Sequence, residues 1–120
     1  MRVAGIGFRG AATLASLRDA LARAGGGADL LATADTKADA GVMQALAAEL
    51  GAPLQPISRA ALGAQTTLTQ SAKVAARFGT GSVAEAAALA GAGPGAALLG
   101  PRVISGDGLA TAAIAIRRDE

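Results

Sequence analysis

Residues 1–57 alternate three short apolar runs with two segments of helical period, and that order argues for parallel strands joined by right-handed crossovers. The apolar runs, at 2–6, 29–34 and 53–57, have the length of buried strands. The segment 13–24 puts Leu14, Leu17 and Leu21 on one helical face, with Arg18, Asp19 and Arg23 elsewhere, and Gly25-Gly26-Gly27 stops it. The segment 39–50 aligns Val42, Leu46 and Leu50 and ends at Gly51.

The second half changes character. Residues 58–62 suit one helical turn. Residues 63–70 are polar and rich in threonine (Thr66, Thr67, Thr69), the composition of a mobile lid. Ser71 is placed to cap a helix over 71–78, which Gly79-Thr80-Gly81 breaks. Ser82-Val83-Ala84-Glu85 matches a capping box opening a helix to about Ala90. A loop at 91–95 precedes a strand over 96–103, despite Gly100 and Pro101. The turn signal Gly106-Asp107-Gly108 then leads into a last strand over 109–116, giving an antiparallel hairpin. The expectation is one α/β domain over 1–120, with a mixed, mostly parallel sheet of about five strands and a C-terminal antiparallel hairpin.

Composition narrows the chemistry. The chain is 52% hydrophobic, but much of that is dispersed alanine, so the core is expected to rest on Leu, Ile, Val, Phe8 and Phe78. There is no His, the usual general base near neutral pH and the commonest metal ligand. There is no Cys, which removes thiolate chemistry and disulfides and fits a cytoplasmic location. A resident metal and a nucleic-acid partner are therefore not expected: the net charge is only +2, without basic runs or stacking aromatics. No apolar run is long enough to span a membrane, and the N-terminus shows no signal-peptide pattern.

The residues that can carry chemistry gather at strand-to-helix turns. Gly5-Ile6-Gly7-Phe8-Arg9-Gly10 matches the dinucleotide glycine pattern between a strand and a helix, and Asp35 sits where a ribose-binding acid would. The same glycines also fit a tight turn that needs their backbone angles. Arg9 offers a planar fork for a carboxylate or phosphate at the sheet edge. Lys37, just past the second strand, shares that edge if the strands are parallel. Thr69, Ser71 and the stretch Gly79-Thr80-Gly81-Ser82 offer hydroxyls and helix starts to an anion, or simple caps. Glu85 is expected to close the capping box. These features describe a site for a polyanion and name no reaction.

Several segments together resemble the CobE family, which is similar to the C-terminal domain of CbiG proteins of cobalamin biosynthesis. They are the opening strand with Gly5, Gly7 and Arg9; Leu31-Ala32-Thr33-Ala34-Asp35-Thr36-Lys37; Leu46-Ala47-Ala48-Glu49-Leu50-Gly51-Ala52-Pro53-Leu54; Thr69-Gln70-Ser71-Ala72-Lys73-Val74; Gly79-Thr80-Gly81-Ser82-Val83-Ala84-Glu85-Ala86-Ala87-Ala88-Leu89; and Thr111-Ala112-Ala113-Ile114-Ala115-Ile116. Phe8 stands where many relatives have Cys, and Ala40 where an acid is frequent. The resemblance implies a three-layer α/β/α fold and a role in making the corrin macrocycle. It implies a corrinoid or precorrin ligand whose acetate and propionate carboxylates meet Arg9 and Lys37 and whose apolar face meets an alanine- and glycine-lined cleft. Any cobalt arrives with the ligand, and no separate cofactor is implied. The implied ligand-binding region is Gly7, Phe8, Arg9, Gly10, Lys37, Thr69, Ser71, Gly79, Thr80, Ser82 and Glu85, with no catalytic residue assigned. CbiG proteins are associated with opening a precorrin lactone, so other pathway enzymes are possible partners, as is a second copy of the chain. Two other readings stay open: a nucleotide- or dinucleotide-binding module, and a non-catalytic partner domain of a lactone-opening enzyme.

Overall fold

The computed structural model describes residues 1–118. The strands are β1 (Arg2–Phe8), β2 (Leu30–Ala34), β3 (Leu54–Ile57), β4 (Ala97–Leu98), β5 (Val103–Ile104) and β6 (Ala110–Ile116). The helices are α1 (Leu14–Ala24), α2 (Gly41–Leu50), α3 (Arg59–Gly63), α4 (Ala72–Phe78) and α5 (Val83–Ala92), with a 3-10 turn at Asp35–Lys37. The sheet runs β3-β2-β1-β6-β4, with β5 also paired to β6. It is mixed, as expected: β1, β2 and β3 are parallel, and β6 runs antiparallel to β1, β4 and β5. The strand expected over 96–103 is two short strands, which raises the count to six. Gly100 and Pro101 separate them, because proline has no N–H to give the ladder.

Strand alternation divides the core into the two halves of a three-layer α/β/α arrangement. Ala4, Ile6, Leu31, Ala112 and Ile114 face α1 and α2, meeting Leu17, Ala20, Leu21, Met43 and Leu46. Val3, Ala32, Ala34 and Ala115 face the other side, where α5 and α3 supply Ala86, Ala87, Ala88, Ala92 and Leu62. The expectation that Phe8 and Phe78 belong to the core needs correction. Both are only partly buried, at the edges of these clusters.

The glycine pattern is used differently from either sequence reading. Gly5 and Gly7 lie inside β1, not in the turn after it, and Gly5, Gly7 and Gly10 all have negative or extended φ. What Gly5 supplies is room. A Cβ there would lie 1.9 Å from the Ala84 carbonyl oxygen and 2.6 Å from the Ala88 nitrogen. Helix α5 thus rests backbone against backbone on β1, and Val83 through Ala88 are all buried. Here alanine is no dispersed background, since larger side chains would hold the helix off the sheet.

Candidate functional site

Strands β1 and β2 end at the same edge of the sheet, and β6 starts there. In open α/β sheets ligands bind beyond the carboxyl ends of strands, where successive connections diverge to opposite faces. From β1 the chain crosses through α1 on one face, while β6 is reached after α5 on the other. The Arg9 N–H donates to the Leu109 carbonyl across this junction (2.9 Å). A cleft of about 500 Å³ opens above it. Its floor is Gly7 to Gly10 and Leu109 to Thr111. Its sides are Lys37, one face of α4, Val83 at the start of α5, Arg102 and Ile104.

The cleft is strongly one-signed. Arg9, Lys37, Lys73, Arg77 and Arg102 line it, five of the chain's eleven basic residues, and among the described residues no carboxylate does. Among the described residues the side-chain ion pairs are Arg18–Glu49 and Arg23–Asp19, both outside the cleft. Uncompensated like charges in a concave surface focus a positive potential on whatever enters. Between the cations lie Phe8, Val74, Phe78, Val83, Ile104 and Leu109. The lining is therefore bulkier than the expected alanine and glycine, which contribute Gly7, Gly10, Gly108 and Ala110. Lys37 Nζ sits 5.1 Å from the Phe8 ring centroid, and the Arg77 guanidinium 5.3 Å from that of Phe78. Burial, and secondarily the positive charge of Arg77, push the Lys37 amine below the usual lysine range.

Behind the cleft, hydrogen bonds fix its walls. The buried Thr33 hydroxyl donates to the Ile6 carbonyl (2.7 Å), and the Thr111 hydroxyl to that of Gly7 (3.3 Å). Glu85 differs from its sequence reading. Ser82 caps α5 by accepting the Glu85 N–H (3.2 Å), but the Glu85 carboxylate does not close the box. It is fully buried and accepts the N–H groups of Leu68 (2.6 Å), Thr69 (3.0 Å) and Arg102 (3.0 Å). Burial pushes its carboxyl up, and the hydrogen bonds from Thr69, Arg102 and Leu68 outweigh that and hold it below the usual carboxylate range. Glu85 thereby ties the segment before α4 and the segment carrying Arg102 to α5. The Thr-rich stretch is pinned at Leu68 and Thr69, and Gln70 and Thr67 bond within it.

Of the residues read from the sequence, the cleft brings together Gly7, Phe8, Arg9, Gly10, Lys37 and Ser71. Thr69, Gly79, Thr80, Ser82 and Glu85 stand outside its lining, in the connections before α4 and α5 and in the first turn of α5. Asp35 is exposed and also outside it. Sequence reasoning missed Lys73, Arg77, Phe78 and Arg102. Lys73 and Arg77 were findable, since their i, i+4 spacing after the Ser71 cap puts both on one face. Arg102 carried no local signal.

The family model for the C-terminus of cobalamin synthesis protein G matches residues 2–115. Among solved structures, the chain is similar to CobE, a protein from the cobalamin biosynthetic pathway. It is 34% identical to it, covering 100% of this chain and 92% of that one, with a TM-score of 0.84. It is also similar to the cobalamin biosynthesis protein chiG from Agrobacterium tumefaciens, at 37% identity, 99% and 100% coverage and a TM-score of 0.72. A comparison with curated protein sequences finds no match. A family match along nearly the whole chain, joined to these two likenesses, establishes that the protein belongs to the CobE/CbiG C-terminal family of cobalamin biosynthesis.

Proposed function

We propose that the cleft binds a corrin or precorrin intermediate and presents it for processing or transfer. The observation that carries this reading is the lining itself: five cations and, among the described residues, no carboxylate, set around an apolar surface that includes both phenylalanines of the chain. A corrin precursor is a broad apolar ring edged with carboxylates. Arginine forks at Arg9, Arg77 and Arg102 suit those carboxylates, with Lys37 and Lys73 as point charges. Phe8, Phe78, Val83 and Ile104 suit the ring.

The test compares Arg9→Ala and Arg102→Ala with the parent protein in absorbance titrations with hydrogenobyrinic acid. Each variant is expected to bind about tenfold more weakly, equivalent to about 1.4 kcal/mol, while unfolding within about 0.5 kcal/mol of the parent. Affinities equal to the parent's in both variants would place the ligand elsewhere.

A further inference from the structure

Nine of the eleven basic residues are arginine, and the two lysines, Lys37 and Lys73, both line the cleft. For gripping carboxylates alone arginine is the better side chain, because its fork binds them through two hydrogen bonds. An amine can do something a guanidinium cannot: lose its proton near neutral pH and attack carbon. The two lysines are not equivalent. Lys73 is exposed on α4, whereas Lys37 is partly buried beside the Phe8 ring. Arg77 lines the same cleft and repels the Lys37 ammonium, no carboxylate among the described residues lines the cleft to stabilise it, and the sequence neighbours of Lys37, Asp35 and Asp39, are exposed and outside the lining. Burial and, secondarily, Arg77 disfavour the ammonium, against the attraction of the Phe8 ring for it.

We propose that Lys37 is a reactive amine that condenses with an aldehyde or ketone carbonyl of an anionic ligand held in the cleft. The neutral amine adds to the carbonyl carbon, forming a C–N bond as the C=O π bond opens to a carbinolamine. Loss of water then gives the imine, and no oxidant or reductant is consumed. The cations lining the cleft hold the ligand's anionic groups, while burial and, secondarily, Arg77 ease the loss of the amine's proton. The proposal rests on reading the cleft as an anion site.

Two probes separate the proposal from that reading. Formaldehyde with cyanoborohydride measures amine reactivity without anion recognition. Pyridoxal 5′-phosphate trapped with borohydride adds a phosphate to the aldehyde. Peptide mass spectrometry at pH 7.5 follows Lys37 and Lys73 separately. Lys37 is expected to methylate several-fold faster than the more exposed Lys73. The phosphate-bearing aldehyde is expected to widen that preference, and Lys37→Arg to abolish the adduct at residue 37. Methylation of Lys37 no faster than of Lys73 would overturn the proposal, whatever the polycarboxylate titrations show. A fast Lys37 with no further gain from the phosphate would overturn the link to an anionic ligand.

Discussion

Gly5→Ala tests the packing that positions the cleft. The added methyl carbon would lie 1.9 Å from the Ala84 oxygen, 2.6 Å from the Ala88 nitrogen and 2.9 Å from the Ala84 carbonyl carbon. All three are backbone atoms, so no rotamer change relieves the clash. Ordinary contact needs more than about 3 Å, so α5 must retreat by roughly 1 Å or more. Overpacking alone costs about 1–3 kcal/mol, and lifting α5 also loosens the alanines packed against β1 and β2. We expect a loss of about 3–5 kcal/mol. For a chain of this length that is a fall in Tm of roughly 10–20 °C. The chain has no Trp or Tyr, so urea unfolding is followed by far-UV circular dichroism. Gly10→Ala is the internal control: its φ is not positive, its Cβ would meet nothing within 4 Å, and its cost should stay within about 0.5 kcal/mol. Gly7→Ala falls between, because its Cβ would meet the Thr111 hydroxyl at 2.7 Å and that side chain can rotate. Equal costs at Gly5 and Gly10 would refute the backbone-contact account.

Two further outcomes concern carboxylates. Glu85→Gln sets an amide donor against one of three backbone N–H groups and removes the charge they share, so it should cost about 3 kcal/mol by urea unfolding. It should also weaken polycarboxylate binding, because Arg102 loses its anchor; unchanged stability would show that the three bonds contribute nothing net. In acid, Asp19 is held low by the Gly106 N–H and Arg23, Asp107 by the Ser105 and Ser16 hydroxyls and the Leu109 N–H, and Glu85 as described. A lowered folded-state value means stability is fully present above about pH 5 and drains as pH falls below about 4. A denaturation midpoint that is flat from pH 5 to pH 3 would contradict this.

The element order was readable because strands and helices of this kind announce themselves locally, through apolar runs, a leucine face in α1 and serine caps before α3, α4 and α5. What escaped was whatever depends on distant chain. Gly5 is explained only by Ala84 and Ala88, so its pattern read as a phosphate loop. Phe8 and Phe78 read as core by hydrophobicity, yet the fold leaves them at a sheet edge where a ligand can meet them. Glu85 fits the capping-box spacing, but its carboxylate serves loops that arrive from two other parts of the chain. Half of the expected site converged because it sat at the ends of β1 and β2 and at the start of α4. The additional cations came from the face of α4 and from Arg102, whose placement is set by the split between β4 and β5.

The most direct measurement is an absorbance titration of the protein with hydrogenobyrinic acid at low and high salt, followed by gel filtration, with the methyl-esterified ligand as control. The account predicts a shifted spectrum, co-elution, affinity that falls steeply with salt, and little binding of the ester. An unchanged spectrum with separate elution, or equal binding of acid and ester, would contradict it.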